Sequence, residues 1–268
     1  MYDYFQFMKT ALLISTYNWP QALELIFKSI HEQTVMPDEV LIADDGSLAE
    51  TKDLIDSFAR KSTFKVIHVW HEDKGFRKAI ILNKVVAKCS CDYIIQIDGD
   101  CIMHPKFVED HKNNAVENTY LYGTRATITK DALPSIFTTK KTKFNYFSSN
   151  IKKRSRTIHS GLLSTLYKAH VGFSSNFRGC NVSFWKNDFV AVNGYNELFE
   201  GWGREDSDLV IRMGNMGILA KRLRYVGIVY HIYHPENARE QLAENDAIQE
   251  NSIKNKIIKA EKGISQYL

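Results

Sequence analysis

Hydrophobic and polar positions in the first 125 residues alternate between short apolar runs and stretches with helical spacing. The runs ALLIST, EVLIADD, FKVIHVW and DYIIQID predict buried strands, and QALELIFKSIHEQ between the first two places its apolar residues on one face of a helix. Strands that alternate with helices form parallel sheets with helices on both faces. We therefore predict an α/β fold for this part of the chain.

The pattern changes after Arg125. Residues 130–175 are rich in Lys, Ser, Thr and aromatic residues without a clear period, which predicts a long loop. An apolar run returns at NVSFW. The segment SDLVIRMGNMG predicts a helix ended by Gly217, and the segment YVGIVYHIYH has the composition of a strand. We predict that residues 1–125 and 126–235 form two halves of one domain, followed by a helical tail over 236–268.

Charge is spread unevenly along the 268 residues, although the net charge is only +4. Residues 132–187 contain no Asp or Glu and ten Lys or Arg, so the rest of the chain has 25 basic and 31 acidic residues. Such asymmetry predicts an anionic partner on one face. The four cysteines lack zinc-site spacing, and no window approaches the ~18 apolar residues of a membrane span. We expect reduced thiols and a cytoplasmic protein, with peripheral contact at an anionic membrane as a further expectation.

Acidic residues stand where two of the predicted strands end. Asp44 and Asp45 end the second strand, and Asp98 and Asp100 end the fourth. Ligands of open parallel sheets bind outside the carboxyl ends of the strands. Mg²⁺ and Mn²⁺ favour oxygen ligands and usually bridge to phosphate groups of the substrate. These acids therefore predict a site for a divalent ion and a phosphorylated ligand.

Two further motifs carry groups that suit the same site. His231 and His234 lie three residues apart in VYHIYHPEN, and either could supply an imidazole to the cation. The segment HEDKGFRKA brings Lys74, Arg77 and Lys78 to the start of a helix, where basic side chains and helix N-termini both favour phosphate.

Several segments together resemble a known family. LLISTYNWPQALELIFKSI, ADDGS, GFRKAIILN and IDGDCIMHPKF resemble the nucleotide-binding half of inverting family 2 glycosyltransferases, which have the GT-A fold. RGCNVSFWKNDFVAVNGYNELFEGWGREDSDLVIRM resembles the C-terminal acceptor segment of β-1,4-galactosyltransferases and bacterial chondroitin polymerases. The resemblance implies a mostly parallel GT-A sheet, a nucleotide-sugar-binding half over residues 1–125, and an acceptor-binding and catalytic half over 126–235.

The resemblance also implies roles for individual residues. Asp206 would be the general base, because an attacking acceptor hydroxyl must lose its proton, and Glu205 and Trp202 would bind the acceptor sugar. The nucleotide-sugar would be bound by Thr16, Tyr17, Asn18, Asp44, Asp45, Arg77 and Asp98. The metal would be held by Asp98, Asp100 and His231, with His234 as the alternative histidine.

These features predict a metal-dependent inverting glycosyltransferase. It would use Mn²⁺ or Mg²⁺ and move a hexose or N-acetylhexosamine from a UDP-sugar to a saccharide or lipid-linked saccharide, in bacterial surface polysaccharide synthesis. One alternative is a nucleotidyltransferase acting on sugar phosphates, but STYNWPQ lacks the Gly-rich basic loop expected after its first strand. Another is a non-catalytic protein that binds anionic ligands through the basic middle segment. That segment lacks a nucleic-acid-binding motif, so nucleic acid is not expected as a partner.

Overall fold

The computed structural model describes residues 8–235 and 241–268. Its strands are β1 Thr10–Thr16, β2 Glu39–Asp44, β3 Lys65–Trp70, β4 Tyr93–Asp98, β5 Cys101–Met103, β6 Thr119–Tyr122, β7 Thr124–Ile128, β8 Ile151–Lys152, β9 Asn181–Trp185, β10 Leu219–Arg222 and β11 Ile228–His231. Its α-helices are α1 Pro20–His31, α2 Ala49–Lys61, α3 Lys78–Ala87, α4 Phe107–Asn114, α5 Leu133–Thr139, α6 Gly161–Ser164, α7 Lys186–Ala191, α8 Glu205–Asn215 and α9 Leu242–Lys254. Short 3₁₀ helices span Lys130–Ala132, Arg154–Arg156 and Ile264–Gln266.

The strands form a seven-stranded sheet in the order β10-β6-β9-β4-β1-β2-β3 and a four-stranded sheet in the order β5-β11-β7-β8. In the larger sheet β1 pairs in parallel with both β2 and β4, and β2 pairs in parallel with β3. Strand β9 lies between β4 and β6 and runs antiparallel to both. The predicted α/β fold with a mostly parallel sheet is therefore confirmed, and the four strands predicted first form one continuous half of it.

Alternating side chains of the central strands face two separate cores. Leu12 and Ile14 of β1 pack in a cluster with the apolar face of α1, whereas Ala11 and Leu13 pack in a cluster with α3 and α8. All four are fully buried, and burying a side chain of Leu or Ile contributes roughly 1.5–3 kcal/mol. Strands buried on both faces read as continuous apolar runs, which is why ALLIST was recognisable as a strand.

Residues 130–175, predicted as one long loop, form a loop that short elements interrupt. This segment contains the 3₁₀ helix Lys130–Ala132, α5, β8, the 3₁₀ helix Arg154–Arg156 and α6. Phe144 and Ile151 are buried in the same core as β1, and the ring of Phe144 lies 5.0 Å from that of Tyr230. The elements were missed because a two-residue strand and helices of four to seven residues are too short to produce a hydrophobic period.

The later elements differ in extent from the predictions. Helix α8 begins at Glu205, two residues earlier than predicted, and is followed by Gly217 in a left-handed conformation. The strand-like run YVGIVYHIYH forms a strand only over Ile228–His231, and residues 236–240 of the predicted tail lie outside the described residues. Within residues 8–235 and 241–268, none of the helices has the length and apolar composition that crossing a membrane requires. The division of the chain at residue 125 stays a prediction.

Candidate active site

The carboxyl ends of β1, β2 and β4 bring several predicted residues to one edge of the sheet. In the parallel pairs, Thr16 lies opposite Asp44 and Ser15 lies opposite Asp98. The hydroxyl of Ser15 donates to Asp98 Oδ1 at 2.8 Å, which fixes this carboxylate at the end of β4. This edge is where a ligand of an open α/β sheet is expected.

Lys78 lies at the centre of three carboxylates on this edge. Its Nζ is 3.0 Å from Asp98 Oδ1, 3.5 Å from Asp206 Oδ2 and 3.7 Å from Glu205 Oε1. Lys78 begins α3 and the two acids begin α8, so the N-terminal ends of two helices meet the end of β4 here. The lysine side chain is only 11% exposed, so this charge cluster is shielded from bulk solvent.

Burial and mutual repulsion shift the titration of these groups. Burial raises the pKa of Glu205 to about 7, with the neighbouring charge of Asp206 as the next cause. Burial also raises the pKa of Asp206, and Lys78 opposes that shift. Burial disfavours the charge of Lys78, but Asp206, Asp98 and Glu205 together raise its pKa well above the usual value. A cleft in which burial raises the pKa of two carboxyl groups beside a fixed cation can accept a proton.

The Asp206 carboxylate also contacts Tyr195 and lies against Gly179. The phenol of Tyr195 donates to its Oδ1 at 3.2 Å, and the backbone at Gly179 passes directly over it. A Cβ at position 179 would lie 1.8 Å from Asp206 Oδ2, so only glycine leaves room for the carboxylate. The side chain of Asp206 is 20% exposed and that of Glu205 only 7%, so Asp206 is the more accessible of the two.

The segment GWGR forms a tight loop immediately before these acids. Gly201 and Gly203 have φ of +67° and +110°, a left-handed conformation that favours glycine. Trp202 between them is 39% exposed, and its contact with a sugar ring stays a prediction. Asn245 of α9 donates to the carbonyls of Glu200 and Gly203, so the C-terminal helix braces this loop.

Asp208, the third acid of GWGREDSD, is not part of the cluster around Lys78. Its Oδ2 accepts from Arg212 Nε at 2.7 Å, and both side chains are fully buried. The remaining guanidinium nitrogens of Arg212 donate to the carbonyls of Val192 and Gly194, at 2.6 and 2.7 Å. This ion pair fastens α8 to the segment after α7 and serves the fold.

We expect Asp208→Asn to lower the free energy of unfolding by about 3 kcal/mol, because it leaves the buried guanidinium of Arg212 without a counter-charge. Urea denaturation followed by circular dichroism measures this change. The control is Asp246→Asn, which breaks the exposed ion pair with Arg204 and should cost less than about 1 kcal/mol. Equal losses in the two variants would contradict a structural role for Asp208.

Asp100, His231 and His234 form a second cluster. The Asp100 Oδ2 atom is 3.4 Å from His231 Nε2 and 3.2 Å from His234 Nε2, and one ligand atom of each residue lies within 4.8 Å of the others. Strand β11 runs antiparallel to β5, which sets His231 opposite Cys101. One carboxylate oxygen and two imidazole nitrogens are a donor set that Mn²⁺ and similar ions accept.

The two histidines differ in their surroundings. Burial lowers the pKa of His231, which keeps its imidazole neutral and able to coordinate a metal. The hydrogen bond to Asp100 raises the pKa of the more exposed His234 to about 9. Both imidazoles reach the same carboxylate, whereas Asp98, the other predicted metal ligand, is held by Ser15 and Lys78 instead.

The predicted nucleotide-binding acids at the end of β2 form hydrogen bonds with other groups of the protein. Asp44 is fully buried, its Oδ1 accepts from the amide of Ser47 at 2.8 Å and its Oδ2 lies 3.1 Å from His68 Nε2. Asp45 lies 2.6 Å from His71 Nε2 and accepts from the amide of Arg77 at 2.9 Å. Both carboxylates therefore brace the turns that surround the cleft, and their contact with a nucleotide stays a prediction.

The other predicted donor residues lie on the same rim. Asn18 joins the loops after β1 and β2, because its amide donates to the Ser47 hydroxyl and its side-chain oxygen accepts from the amide of Leu48. The exposed Tyr17 donates to Asp73 at 2.8 Å. The guanidinium of Arg77 donates to the carbonyl of Glu72.

Comparison with known proteins places the chain among sugar transferases. Residues 11–177 match the family described as Glycosyl transferase family 2, and residues 151–235 match the family described as the N-terminal domain of galactosyltransferase. The first match covers more than half of the chain.

Individual relatives agree with these matches. The chain is 25% identical over 224 residues to validoxylamine A glucosyltransferase of Streptomyces hygroscopicus subsp. limoneus, covering 78% of this chain and 48% of the relative. It is 22% identical over 247 residues to chondroitin synthase of Escherichia coli, covering 86% of this chain and 35% of the relative. The chain therefore spans less than half the length of either relative.

A solved structure of similar fold is that of S. aureus TarS 1-349 in complex with UDP. The TM-score is 0.62 at 14% sequence identity, over 97% of this chain and 68% of that one. The predicted GT-A fold is confirmed by this likeness.

Proposed function

The chain belongs to glycosyl transferase family 2, and on that premise we propose that it is a metal-dependent inverting glycosyltransferase that uses a UDP-sugar. The observation that carries this proposal is the convergence of Asp206, Glu205 and Asp98 on Lys78 at the end of β4, beside the cluster of Asp100 and two histidines. The family favours glycosyl transfer over the nucleotidyl transfer considered from the sequence.

Asp206 acts as the general base in this proposal. Its carboxylate takes the proton of an acceptor hydroxyl while that oxygen forms a bond to the anomeric carbon and the bond from this carbon to the diphosphate breaks. Attack opposite to the leaving diphosphate inverts the anomeric centre. The greater exposure of Asp206 supports it as the base, and the more deeply buried Glu205 is proposed to hold acceptor hydroxyls.

Asp100, His231 and His234 are the residues proposed to hold the divalent ion. A bound Mn²⁺ or Mg²⁺ would offset the negative charge that gathers on the leaving diphosphate. Thr16, Tyr17 and Asn18, with Arg77 and Asp98, are proposed to line the nucleotide-sugar site, and Trp202 to offer its ring to a sugar face. The UDP in the TarS complex supports a uridine nucleotide as the donor's carrier.

The donor is proposed to carry a hexose or N-acetylhexosamine, and the acceptor to be a saccharide used in surface polysaccharide synthesis. The similarity to a chondroitin synthase supports a polysaccharide product. Peripheral contact with an anionic membrane stays a prediction. The decisive experiment measures UDP release from UDP-Gal, UDP-GalNAc, UDP-Glc and UDP-GlcNAc with Mn²⁺, and no release from any of them would contradict the proposal.

Lys78 is proposed to keep the base ionised. We expect Lys78→Met to move the acidic limb of the kcat/KM profile upward by about one pH unit or more, because removing the cation raises the pKa of Asp206 further. The rate near pH 7 falls in consequence, and the two profiles converge at alkaline pH, where Asp206 is ionised in both proteins.

The matched control is Lys74→Met, which removes an exposed lysine of the same loop that pairs with Glu72. Its profile should coincide with that of the unmodified protein. If Lys78→Met instead weakened UDP binding and left the pH profile in place, Lys78 would contact the phosphates and would not serve the base.

A further inference from the structure

Five arginines from separate elements lie close enough together for their charges to interact. They are Arg125 in β7, Arg156 in the 3₁₀ helix Arg154–Arg156, Arg178 before β9, Arg222 at the end of β10, and Arg224 two residues later. Arg156 Nη1 donates to the carbonyl of Arg125 at 3.0 Å, which joins the first two. We call this set the arginine cluster.

Burial disfavours the charge of Arg125 in this cluster, but Cys180, Cys101 and the nearby Asp100 raise its pKa. The arginine cluster has no carboxylate in direct contact within the part of the chain that the structure describes. None of its members forms a salt bridge there, and the hydrogen-bond acceptors they find are backbone carbonyls and the sulfur of Cys180, 3.8 Å from Arg125 Nη1. Arg222 Nε and Arg224 Nη1 are buried without a hydrogen-bond partner. A buried donor without a partner is destabilising, so these nitrogens favour a ligand that can accept from them.

The members of the arginine cluster also repel one another. Burial lowers the pKa of Arg156, and Arg222, Arg224, Arg125 and Arg178 lower it further. The repulsion between neighbouring arginines in proteins is normally offset by carboxylates or phosphates, which accept two hydrogen bonds from one planar guanidinium. The acid-free stretch over residues 132–187 explains why the chain itself supplies no such group near Arg156 and Arg178.

The arginine cluster starts next to Asp206, the residue proposed to deprotonate the acceptor. Arg178 precedes Gly179, whose backbone lies directly over the Asp206 carboxylate, and Cys180 joins this segment to Arg125. The cluster therefore begins beside the proposed base. Aromatic rings flank its far end, since the guanidinium carbons of Arg222 and Arg224 lie 6.0 Å and 4.6 Å from the ring centres of Tyr167 and Tyr225.

We propose that the arginine cluster is a subsite that binds an anionic group of the acceptor, a carboxylate or a phosphate carried by the sugar chain. This inference rests on the proposed function, because it assigns the substrate class of the same cleft. The aromatic rings beside the guanidinium groups suit the apolar face of a sugar, and the guanidinium groups suit its charged substituent.

Binding can be tested without catalysis by titrating the full chain with inorganic phosphate, with glucuronate and with glucose in a calorimeter. We expect at least one of the two anions to bind and glucose not to bind. The double variant Arg156→Gln, Arg224→Gln should weaken anion binding about tenfold or more, because each arginine would donate a charge-assisted hydrogen bond to the anion. The control Arg60→Gln alters an exposed arginine on α2 and should leave binding unchanged.

The comparison of phosphate with glucuronate distinguishes the two sources of the negative charge. Titrations in the presence of UDP and Mn²⁺ then separate the acceptor from the donor. Anion binding that persists beside UDP, with unchanged UDP affinity in the double variant, supports the proposal. Displacement of the anion by UDP, or loss of UDP affinity in the double variant, would assign the arginine cluster to the donor diphosphate and overturn the proposal. The proposal would also be overturned if neither anion bound.

Transfer assays complete the test with three matched acceptors, a disaccharide ending in glucose, in glucuronate or in glucose phosphate. We expect a charged acceptor to be preferred, and the double variant to raise its KM about tenfold without changing kcat or UDP-sugar hydrolysis. Equal use of all three by the unmodified protein would contradict the proposal. If no UDP-sugar were turned over, the proposed function would fail while the calorimetric result would still decide whether an anion site exists.

Discussion

Replacing Asp206 by Asn is expected to lower turnover about 10²-fold or more and to leave UDP affinity nearly unchanged. Asparagine keeps the size of the side chain and can still accept from the phenol of Tyr195, but it cannot take the proton of an acceptor hydroxyl. The interaction lost is made mainly in the transition state, so kcat falls and ground-state binding does not. UDP release measures turnover, and calorimetry measures UDP affinity.

Two variants sharpen this test. Glu205→Gln should raise the KM for the acceptor and spare hydrolysis of the UDP-sugar, because Glu205 is proposed to hold acceptor hydroxyls. Asp53→Asn, an exposed acid of α2, should change neither quantity. Near-normal turnover of Asp206→Asn would show that another group accepts the proton, and Glu205, whose pKa is raised to about 7 by burial, would be the next candidate.

Removal of divalent ions with EDTA is expected to lower UDP-sugar turnover about 10²-fold or more, because a metal at a leaving diphosphate contributes several kcal/mol. Asp100→Asn should produce a similar loss that added Mn²⁺ does not restore. His231→Ala should weaken UDP binding in the presence of Mn²⁺ more than His234→Ala does, since His231 ends β11 and its burial lowers its pKa.

The control for the histidine variants is His31→Ala at the exposed end of α1, which should leave UDP binding unchanged. The opposite order of effects would identify His234 as the main ligand. Equal UDP affinity with and without EDTA, together with equal turnover, would rule out the metal.

The sheet and the acidic cluster could be predicted because their signals are local in sequence. Six-residue apolar runs in strands buried on both faces stand out against polar turns, and the acids that follow them share one sheet edge by topology. The position of Lys78 among three carboxylates could not be predicted, because two of them, Glu205 and Asp206, begin a helix more than a hundred residues later. The sequence predicts only that Lys78 lies at the start of a helix, where a basic side chain favours phosphate.

The same limit applies to the arginine cluster and to the acids of β2. The excess of basic residues over 132–187 predicted an anionic partner, but three of the five arginines lie outside that stretch and only the fold brings them together. Asp44 and Asp45 looked like ligand-binding acids because they end a strand. Their hydrogen bonds to nearby backbone amides show that they also shape the turns.

The position of β9 in the seven-stranded sheet constrains the order in which the chain can assemble. A ribosome that has released residues up to Tyr122 has supplied β4 and β6, but not the strand that separates them in the sheet. The edges of β4 and β6 that pair with β9 lack a partner strand until Trp185 has been synthesised, and unpaired edges can pair with strands of other chains. A fragment that ends at residue 125 would keep such an edge permanently, so the first half expressed alone is expected to aggregate.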